Sequence, residues 1–141
     1  VFKRIAAEII TENIKPDYAI VALGNGTTTL SIGKRLKEEY PNLIYDVYKP
    51  NFDANPNSIV FGLVVPNINF RHMNAALSYV NNLHYTNEVD LSYIKKQYFY
   101  DTEITNFGYT SLYGLHLAIE YAKNHSNSNI LSIAYDKIDR Y

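Results

Sequence analysis

The feature that most constrains the fold is a six-residue apolar run that ends at a glycine-rich turn. Tyr18 to Leu23 carries no charge, which is typical of a strand covered on both faces. Gly24-Asn25-Gly26 follows, and helical spacing of apolar side chains begins at about Thr29. Strands covered on both faces belong mostly to parallel sheets that have a helix layer on each side. The chain is therefore predicted to be an α/β protein in which a strand, a loop and a helix follow one another.

Helix-like and strand-like segments alternate along the rest of the chain. The first two strands are joined by a helix, so they are predicted to be parallel. The predicted helices cover residues 2–12, 29–39, about 73–80, 87–98 and 112–123, the last of them apolar nearly all round. The predicted strands cover residues 18–23, 43–48, 83–85 and 130–135, with extended segments at 58–65 and 104–107 and a turn-rich stretch at 49–57. This order predicts a three-layer fold with a mainly parallel sheet and helices on both faces.

Length and composition predict one α/β domain over residues 1–141. The net charge of −1 and the scattered Lys and Arg residues give no basic face, so neither nucleic acid nor a membrane is an expected partner. The absence of cysteine excludes disulfides, iron–sulfur clusters and thiol nucleophiles, and it fits a reducing compartment. No apolar stretch approaches the length of a membrane span. The chain starts at Val1 in helical periodicity, and we expect a cytoplasmic fragment or processed product.

The glycine-rich turn has the chemistry of an anion site. Gly24 and Gly26 allow positive φ angles and a close approach to a ligand, and the free amides at a helix start favour a negative charge. Thr27, Thr28 and Thr29 add hydroxyl donors. Turns that only connect a strand to a helix also use Gly-Asn-Gly, so the turn by itself leaves both a phosphate site and a simple connection open.

Two nucleotide-binding motifs fit the turn poorly. A dinucleotide site needs a third glycine, where this chain has Thr29, and an acid at the carboxyl end of the next strand, whereas Asp46 is predicted inside that strand. A Walker-type loop needs Gly-Lys-Ser/Thr directly after the bend, but Gly33-Lys34-Arg35 lies a turn or more into the helix. A nucleotide-binding α/β domain therefore stays a weaker alternative.

The histidines and carboxylates show no catalytic or metal-binding pattern. Four histidines have neither the spacing nor the adjacent carboxylates of a metal site: His72, His84, His116 and His125. We interpret His116, on the predicted buried helix, as a hydrogen-bonded core or interface residue. The residues themselves predict no catalytic group and no metal ligand.

Several stretches, in this order, resemble fold-type II pyridoxal-phosphate enzymes, the family of threonine synthase, cysteine synthase and the tryptophan synthase β subunit. Residues 2–9 are similar to the helix before the phosphate loop of threonine synthases, residues 24–28 resemble that loop (G-T-G-G-T or G-N-G-G-N), and residues 32–38 resemble the helix after it. Residues 45–50 resemble the family's V-x-V-E-P, and residues 66–70 resemble G-N-P-x-N-W. Residues 108–111 resemble G-I-S-S, and residues 130–141 resemble the closing strand and D-S-G-E-R-Y. The resemblance spans nearly the whole chain, and the order and spacing of the motifs carry it.

The resemblance implies a cofactor and site residues. The phosphate of pyridoxal 5′-phosphate would bind at the loop, formed by Gly24, Asn25, Gly26, Thr27 and Thr28. Thr110 matches the family's Ser or Thr that hydrogen-bonds the pyridine nitrogen, a neutral partner that suits elimination or replacement at the β or γ carbon of an amino-acid substrate. The expected function is that of the C-terminal, cofactor-binding portion of an amino-acid lyase or synthase most like threonine synthase.

Some positions depart from the family pattern. The family's Schiff-base lysine and its substrate-carboxylate loop belong to the first half of the enzyme, for which these 141 residues contain no counterpart. Thr27 replaces a loop glycine, and Leu112 replaces the glycine after Thr110-Ser111. We therefore expect no catalysis by this chain alone, and exposed apolar surface that favours self-association or a partner chain. The main alternative is a non-catalytic remnant of the fold that serves as an interaction or regulatory module.

Overall fold

The structure is a computed structural model that describes residues 2–51, 70–86 and 106–135, together with Tyr93 and Lys96. Its helices are α1 (Phe2–Thr11), α2 (Thr27–Glu39), α3 (Met73–Leu77) and α4 (Tyr109–Asn124). Its strands are β1 (Tyr18–Ala22), β2 (Ile44–Pro50), β3 (Leu83–Thr86) and β4 (Ile130–Ser132). None of the described helices is long and apolar enough to cross a membrane.

The four described strands form one sheet in the order β3-β2-β1-β4. All three neighbouring pairs are parallel, with Ala22 opposite Tyr48, Tyr18 opposite Ile130 and Val47 opposite Leu83. The predicted parallel sheet is therefore confirmed. In sequence order β1 is first and β4 last, yet they are neighbours, because β2 and β4 pair with opposite edges of β1.

Helices cover both faces of the sheet, which confirms the predicted three layers. Alternate β1 residues face opposite ways, as strand geometry requires. Ala19, Val21 and Leu23 pack with apolar residues of α1 and α2. Tyr18, Ile20 and Ala22 pack with Leu112, Tyr113 and Ala118 of α4 on the other face. The uncharged run at residues 18–23 thus has the two-sided burial that its composition predicts.

Several element bounds differ from the sequence predictions. β2 continues through Lys49 and Pro50, where a turn was predicted, because both residues still pair with β3 after β1 has ended. α2 begins at Thr27, ahead of the predicted start, and α3 ends at Leu77, before the predicted Val80. Tyr93 and Lys96 are helical, as predicted for residues 87–98. The rest of that segment lies outside the described residues, as do the predictions for 58–65, for 136–141 and for most of 104–107.

Candidate functional site

The loop after β1 lies at the point where the strand order of the sheet reverses. The chain leaves β1 through residues 23–26, forms α2 on one face and enters β2 on one side of β1, while β4 lies on the other side and α4 covers the other face. In open α/β sheets, ligands bind outside the carboxyl ends of the strands at such a switch point. The predicted anion loop therefore occupies the most favourable ligand position in this topology.

Gly26 is the residue of the loop that requires glycine. Its φ of +86° lies in the left-handed region. A Cβ at this position would also lie 3.3 Å from the Met73 Cα and 3.4 Å from the Ala76 Cβ. The loop is therefore packed directly against α3, so a side chain at position 26 would be disfavoured both by the backbone angle and by that contact.

The first turn of α2 presents backbone donors. The Thr27 amide donates to Asn25 Oδ1 over 3.0 Å, and the Leu30 amide makes the first helical bond, to the Gly26 carbonyl over 2.8 Å. The amides of Thr28 and Thr29 lie between them and have no intrahelical acceptor, as at every helix start. Thr29 Oγ1 is buried without a hydrogen-bond partner among the described residues. Unpaired amides, a free hydroxyl and the positive end of the helix dipole together favour a bound anion.

The structure brings Thr110 to the same edge of the sheet. Leu23, at the start of the loop, donates its amide to the Tyr48 carbonyl over 2.8 Å, and Tyr48 Oη donates to the Thr110 carbonyl over 2.6 Å. Thr110 is buried in the first turn of α4, and its carbonyl bond leaves the hydroxyl for another partner. Two helix starts, those of α2 and α4, thus flank the carboxyl end of β1.

Tyr135 joins these two helix starts and was missed by the sequence analysis. The Ala22 amide, at the end of β1, donates to Tyr135 Oη over 2.8 Å, and the Tyr135 amide donates to Ser111 Oγ over 2.8 Å. Although 37% of the residue is exposed, burial of its hydroxyl raises the pKa of the phenol well above its ordinary value. The phenol therefore stays protonated at neutral pH. The sequence analysis placed Tyr135 at the end of the last strand, whereas β4 ends at Ser132 and leaves Tyr135 beyond it.

The Asp46 carboxylate forms hydrogen bonds with residues of the neighbouring strand segments. It is buried within β2, as predicted, and accepts hydrogen bonds from Tyr18 Oη at 2.9 Å and from Asn82 N and Nδ2 at 3.0 and 2.9 Å. His84 Nε2 lies 2.8 Å from Asp46 Oδ2, the same oxygen that accepts the Tyr18 bond. Burial raises the pKa of Asp46, but the hydrogen bonds from His84, Asn82 and Tyr18 outweigh burial and hold that pKa below its ordinary value. This carboxylate ties three strands together, and its bonds leave it poorly placed to bind a ribose.

The remaining three histidines lie on α4 or at the surface. His116 is half-buried on α4 with its ring edge toward Tyr113, and His125 stacks on Tyr121 at 3.8 Å between ring centroids. His72 caps α3 without a side-chain bond to it. Within the described ranges there is no group of three His, Asp or Glu side chains that could hold a metal ion.

Comparison with known proteins places the fold. No protein-family model and no curated protein matches the sequence. Among solved structures, the chain is similar to an O-ureido-L-serine synthase with 20% identity and a TM-score of 0.79, over 99% of this chain and 46% of that one. It is also similar to a hydrogen sulfide-producing enzyme from Fusobacterium nucleatum, with 19% identity and a TM-score of 0.78, over 97% of this chain and 48% of that one. An O-acetyl serine sulfhydrylase isoform 3 from Entamoeba histolytica matches with 18% identity and a TM-score of 0.73, over 99% and 43%.

These solved structures are fold-type II pyridoxal-phosphate enzymes. The chain therefore has the fold of that class, as the motif order predicted, and it spans about half the length of the structures that it matches. At identities of 18–20%, the likeness concerns the fold alone.

Proposed function

We propose that this chain is the phosphate-binding part of a pyridoxal-phosphate enzyme of amino-acid metabolism. The observation that carries the proposal is the Gly24–Thr28 loop, which joins parallel strand to helix at the switch point and lies at the same sheet edge as Thr110. The parallel α/β fold and its solved neighbours support the same assignment.

The residues at the loop fit a phosphate group. Gly26 has the left-handed backbone angle of a loop that turns amides toward a ligand, and the Thr28 and Thr29 amides have no helical acceptor. Thr29 Oγ1 is a buried hydroxyl in the same turn, without a hydrogen-bond partner in the described part of the chain. The Asn25 side chain caps the Thr27 amide, so the loop keeps its shape without a ligand. We propose Gly24, Asn25, Gly26, Thr27 and Thr28 as the phosphate-binding residues.

The second contact would come from α4. The Thr110 carbonyl is held by Tyr48, so its hydroxyl is available to hydrogen-bond a pyridine nitrogen without giving it a charge. When bound, pyridoxal 5′-phosphate supplies the electron-withdrawing ring that stabilises negative charge at the α carbon of an amino acid. The protein's part is to hold the phosphate, orient the ring and tune its nitrogen.

The names of the solved neighbours favour one substrate class. They include an O-ureido-L-serine synthase, an O-acetyl serine sulfhydrylase and an O-acetylserine dependent cystathionine beta-synthase from Helicobacter pylori. We therefore propose a serine-derived amino acid with a leaving group on its β carbon as the substrate class. The threonine-synthase specificity suggested by the sequence motifs is the alternative within the same chemistry.

Catalysis would need a second segment. The chain covers 43–48% of the three neighbours described above, and we propose that a further polypeptide segment supplies the cofactor-linked lysine and the substrate-carboxylate loop. Apolar side chains are exposed on α3 and on the edge strand β3: Leu77 at 37%, Leu83 at 37% and Tyr85 at 51%. Exposed apolar side chains at a sheet edge favour association with another chain or segment.

A cofactor titration with a matched pair of variants tests the proposal. Gly24 lies outside the left-handed region, unlike Gly26, so it accepts a side chain without backbone strain. Gly24→Asp adds a negative charge beside the proposed phosphate, and Gly24→Asn adds the same volume without the charge. We expect saturable absorbance changes with pyridoxal 5′-phosphate for the natural chain and for Gly24→Asn, and none for Gly24→Asp.

Four readouts decide the result. Circular dichroism must show all three proteins folded, and borohydride reduction followed by mass spectrometry should find no lysine adduct. Equal binding by Gly24→Asp and Gly24→Asn would contradict the loop assignment. Inorganic phosphate that stabilises the fold without any spectral change from the cofactor would favour the remnant alternative, for which the side chain of Thr27 and the Asn25 cap argue.

A further inference from the structure

A second candidate binding site lies on the outer surface of the helix layer, and none of its lining residues belongs to the loop at residues 24–28. A cavity of about 800 Å³ runs along α2 between the start of α1 and α3. Five residues of α2 line it: Leu30, Ser31, Lys34, Arg35 and Glu38. Residues three or four positions apart share one face of a helix, so these five form one stripe along α2. We name this cavity the α2 groove.

The α2 groove carries a local surplus of positive charge. Lys3, Lys34 and Arg35 line it, against one carboxylate, Glu38, although the whole chain has a net charge of −1. Arg35 is paired with Glu39, 3.3 Å away. Lys3 and Lys34 form no ion pair with any residue that the structure describes. Two ammonium groups without an ion pair among the described residues therefore line the same cavity, with the Glu38 carboxylate as its one negative group.

The size and lining of the groove favour a small molecule. Glu38 lies eight positions after Leu30 on α2, so the groove is about 12 Å long at 1.5 Å per residue. An extended peptide would place only about four residues in that length, whereas 800 Å³ is within the range of small-molecule sites. The half-buried ring of Tyr79 and the side chain of Leu30 give it an apolar wall, and Ser31 adds a hydroxyl.

We propose that the α2 groove binds a small molecule that carries at least two phosphates beside a flat ring, the chemistry of a nucleoside diphosphate. Lys3 and Lys34 would contact the phosphates, and the ring would lie against Tyr79. This site is separate from the loop at residues 24–28, and the inference does not rest on the proposed function.

Calorimetric titration of the 141-residue chain with ADP tests the proposal, with pyrophosphate and adenosine as the two halves of the probe. ADP should bind with one-to-one stoichiometry and more tightly than either half. Lys34→Gln should raise Kd about fivefold, the most that one exposed ion pair usually contributes, and Lys3→Gln with Lys34→Gln about 20-fold. Higher ionic strength should weaken binding, since exposed charges are screened.

Two variants serve as controls. Arg4→Gln removes a positive charge next to Lys3, but Arg4 pairs with Glu8 and does not line the groove, so ADP affinity should change less than about twofold. Gly24→Asp should bind ADP normally, because the loop is a different site. No saturable ADP binding, or equal Kd values for Lys34→Gln and the natural chain, would overturn the proposal. Loss of ADP binding in Gly24→Asp alone would assign the nucleotide to the loop instead.

Discussion

Gly33→Ala is a sharp test of the packing behind the site. Helix propensity alone predicts that this change stabilises α2 by about 1 kcal/mol, because alanine is the better helix former. In the structure, however, a Cβ at Gly33 would lie 2.3 Å from Cε1 and 2.9 Å from Cδ1 of Tyr45. The Tyr45 ring is fully buried, and its hydroxyl donates to the Thr29 carbonyl over 2.9 Å. The ring therefore cannot move aside without breaking a bond to the first turn of α2.

The expected net effect is destabilisation. Overpacking costs up to about 3 kcal/mol in its usual range, which leaves a loss of about 2 kcal/mol after the propensity gain. For a chain of this length, such a loss lowers Tm by about 6 °C. Thermal unfolding followed by circular dichroism measures the shift. A Tm equal to or above that of the natural chain would refute the argument from the Tyr45 contact.

A second background isolates the cause. Tyr45→Leu removes the distal ring atoms that meet the new Cβ, at its own cost in stability. In that background Gly33→Ala should be neutral or should raise Tm, and the double-mutant cycle should give a coupling of about 1–3 kcal/mol. The same fall in Tm in both backgrounds would assign the loss to a contact other than Tyr45.

Two further predictions concern the hydrogen-bond networks. Asp46 has a lowered pKa in the folded state, so its bonds contribute stability above pH about 4, its ordinary range, and this contribution is lost as the pH falls through the folded-state pKa. In urea unfolding, the free energy of unfolding should therefore fall less between pH 7 and pH 3 for Asp46→Asn than for the natural chain. An equal fall in both proteins would contradict the assignment. Tyr135→Phe removes the acceptor of the Ala22 amide and should cost about 1–2 kcal/mol. Hydrogen exchange at Ala22 should then be faster while exchange at Ile20 stays slow, and unchanged exchange at Ala22 would argue against this bond.

The features that the sequence predicts well are local ones. The uncharged run at 18–23 can be buried on both faces only between two helix layers, and Gly24-Asn25-Gly26 is a turn by its residue types alone. The strand, the loop and the helix are adjacent in sequence, so local patterns predict all three. The parallel crossover follows from their order. The motif order added the likeness to fold-type II enzymes, which the solved structures support at the level of fold.

The features that the sequence analysis missed depend on distant residues. Tyr135 meets Ala22 across 113 positions, and no spacing rule connects the two. Pro50 looks like a turn residue because it lacks an amide donor, yet it ends a strand beyond the reach of β1, where only β3 still pairs. The Asp46 network likewise needs partners from two distant segments, Tyr18 of β1 and Asn82 with His84 at β3. Pairing and burial, not local propensity, decide each of these cases.

Three tyrosines connect the core to the proposed site in the same way. Each has its hydroxyl bonded to backbone at the carboxyl edge: Tyr45 to the Thr29 carbonyl, Tyr48 to the Thr110 carbonyl and Tyr135 to the Ala22 amide. The first two bonds hold carbonyls in the first turns of α2 and α4, and so fix the direction in which the amides of those turns point. Ligand affinity at the loop should therefore depend on side chains in the core that no ligand touches. The hydroxyls of Tyr45 and Tyr48, whose side chains are fully buried, thus connect the core to the proposed site.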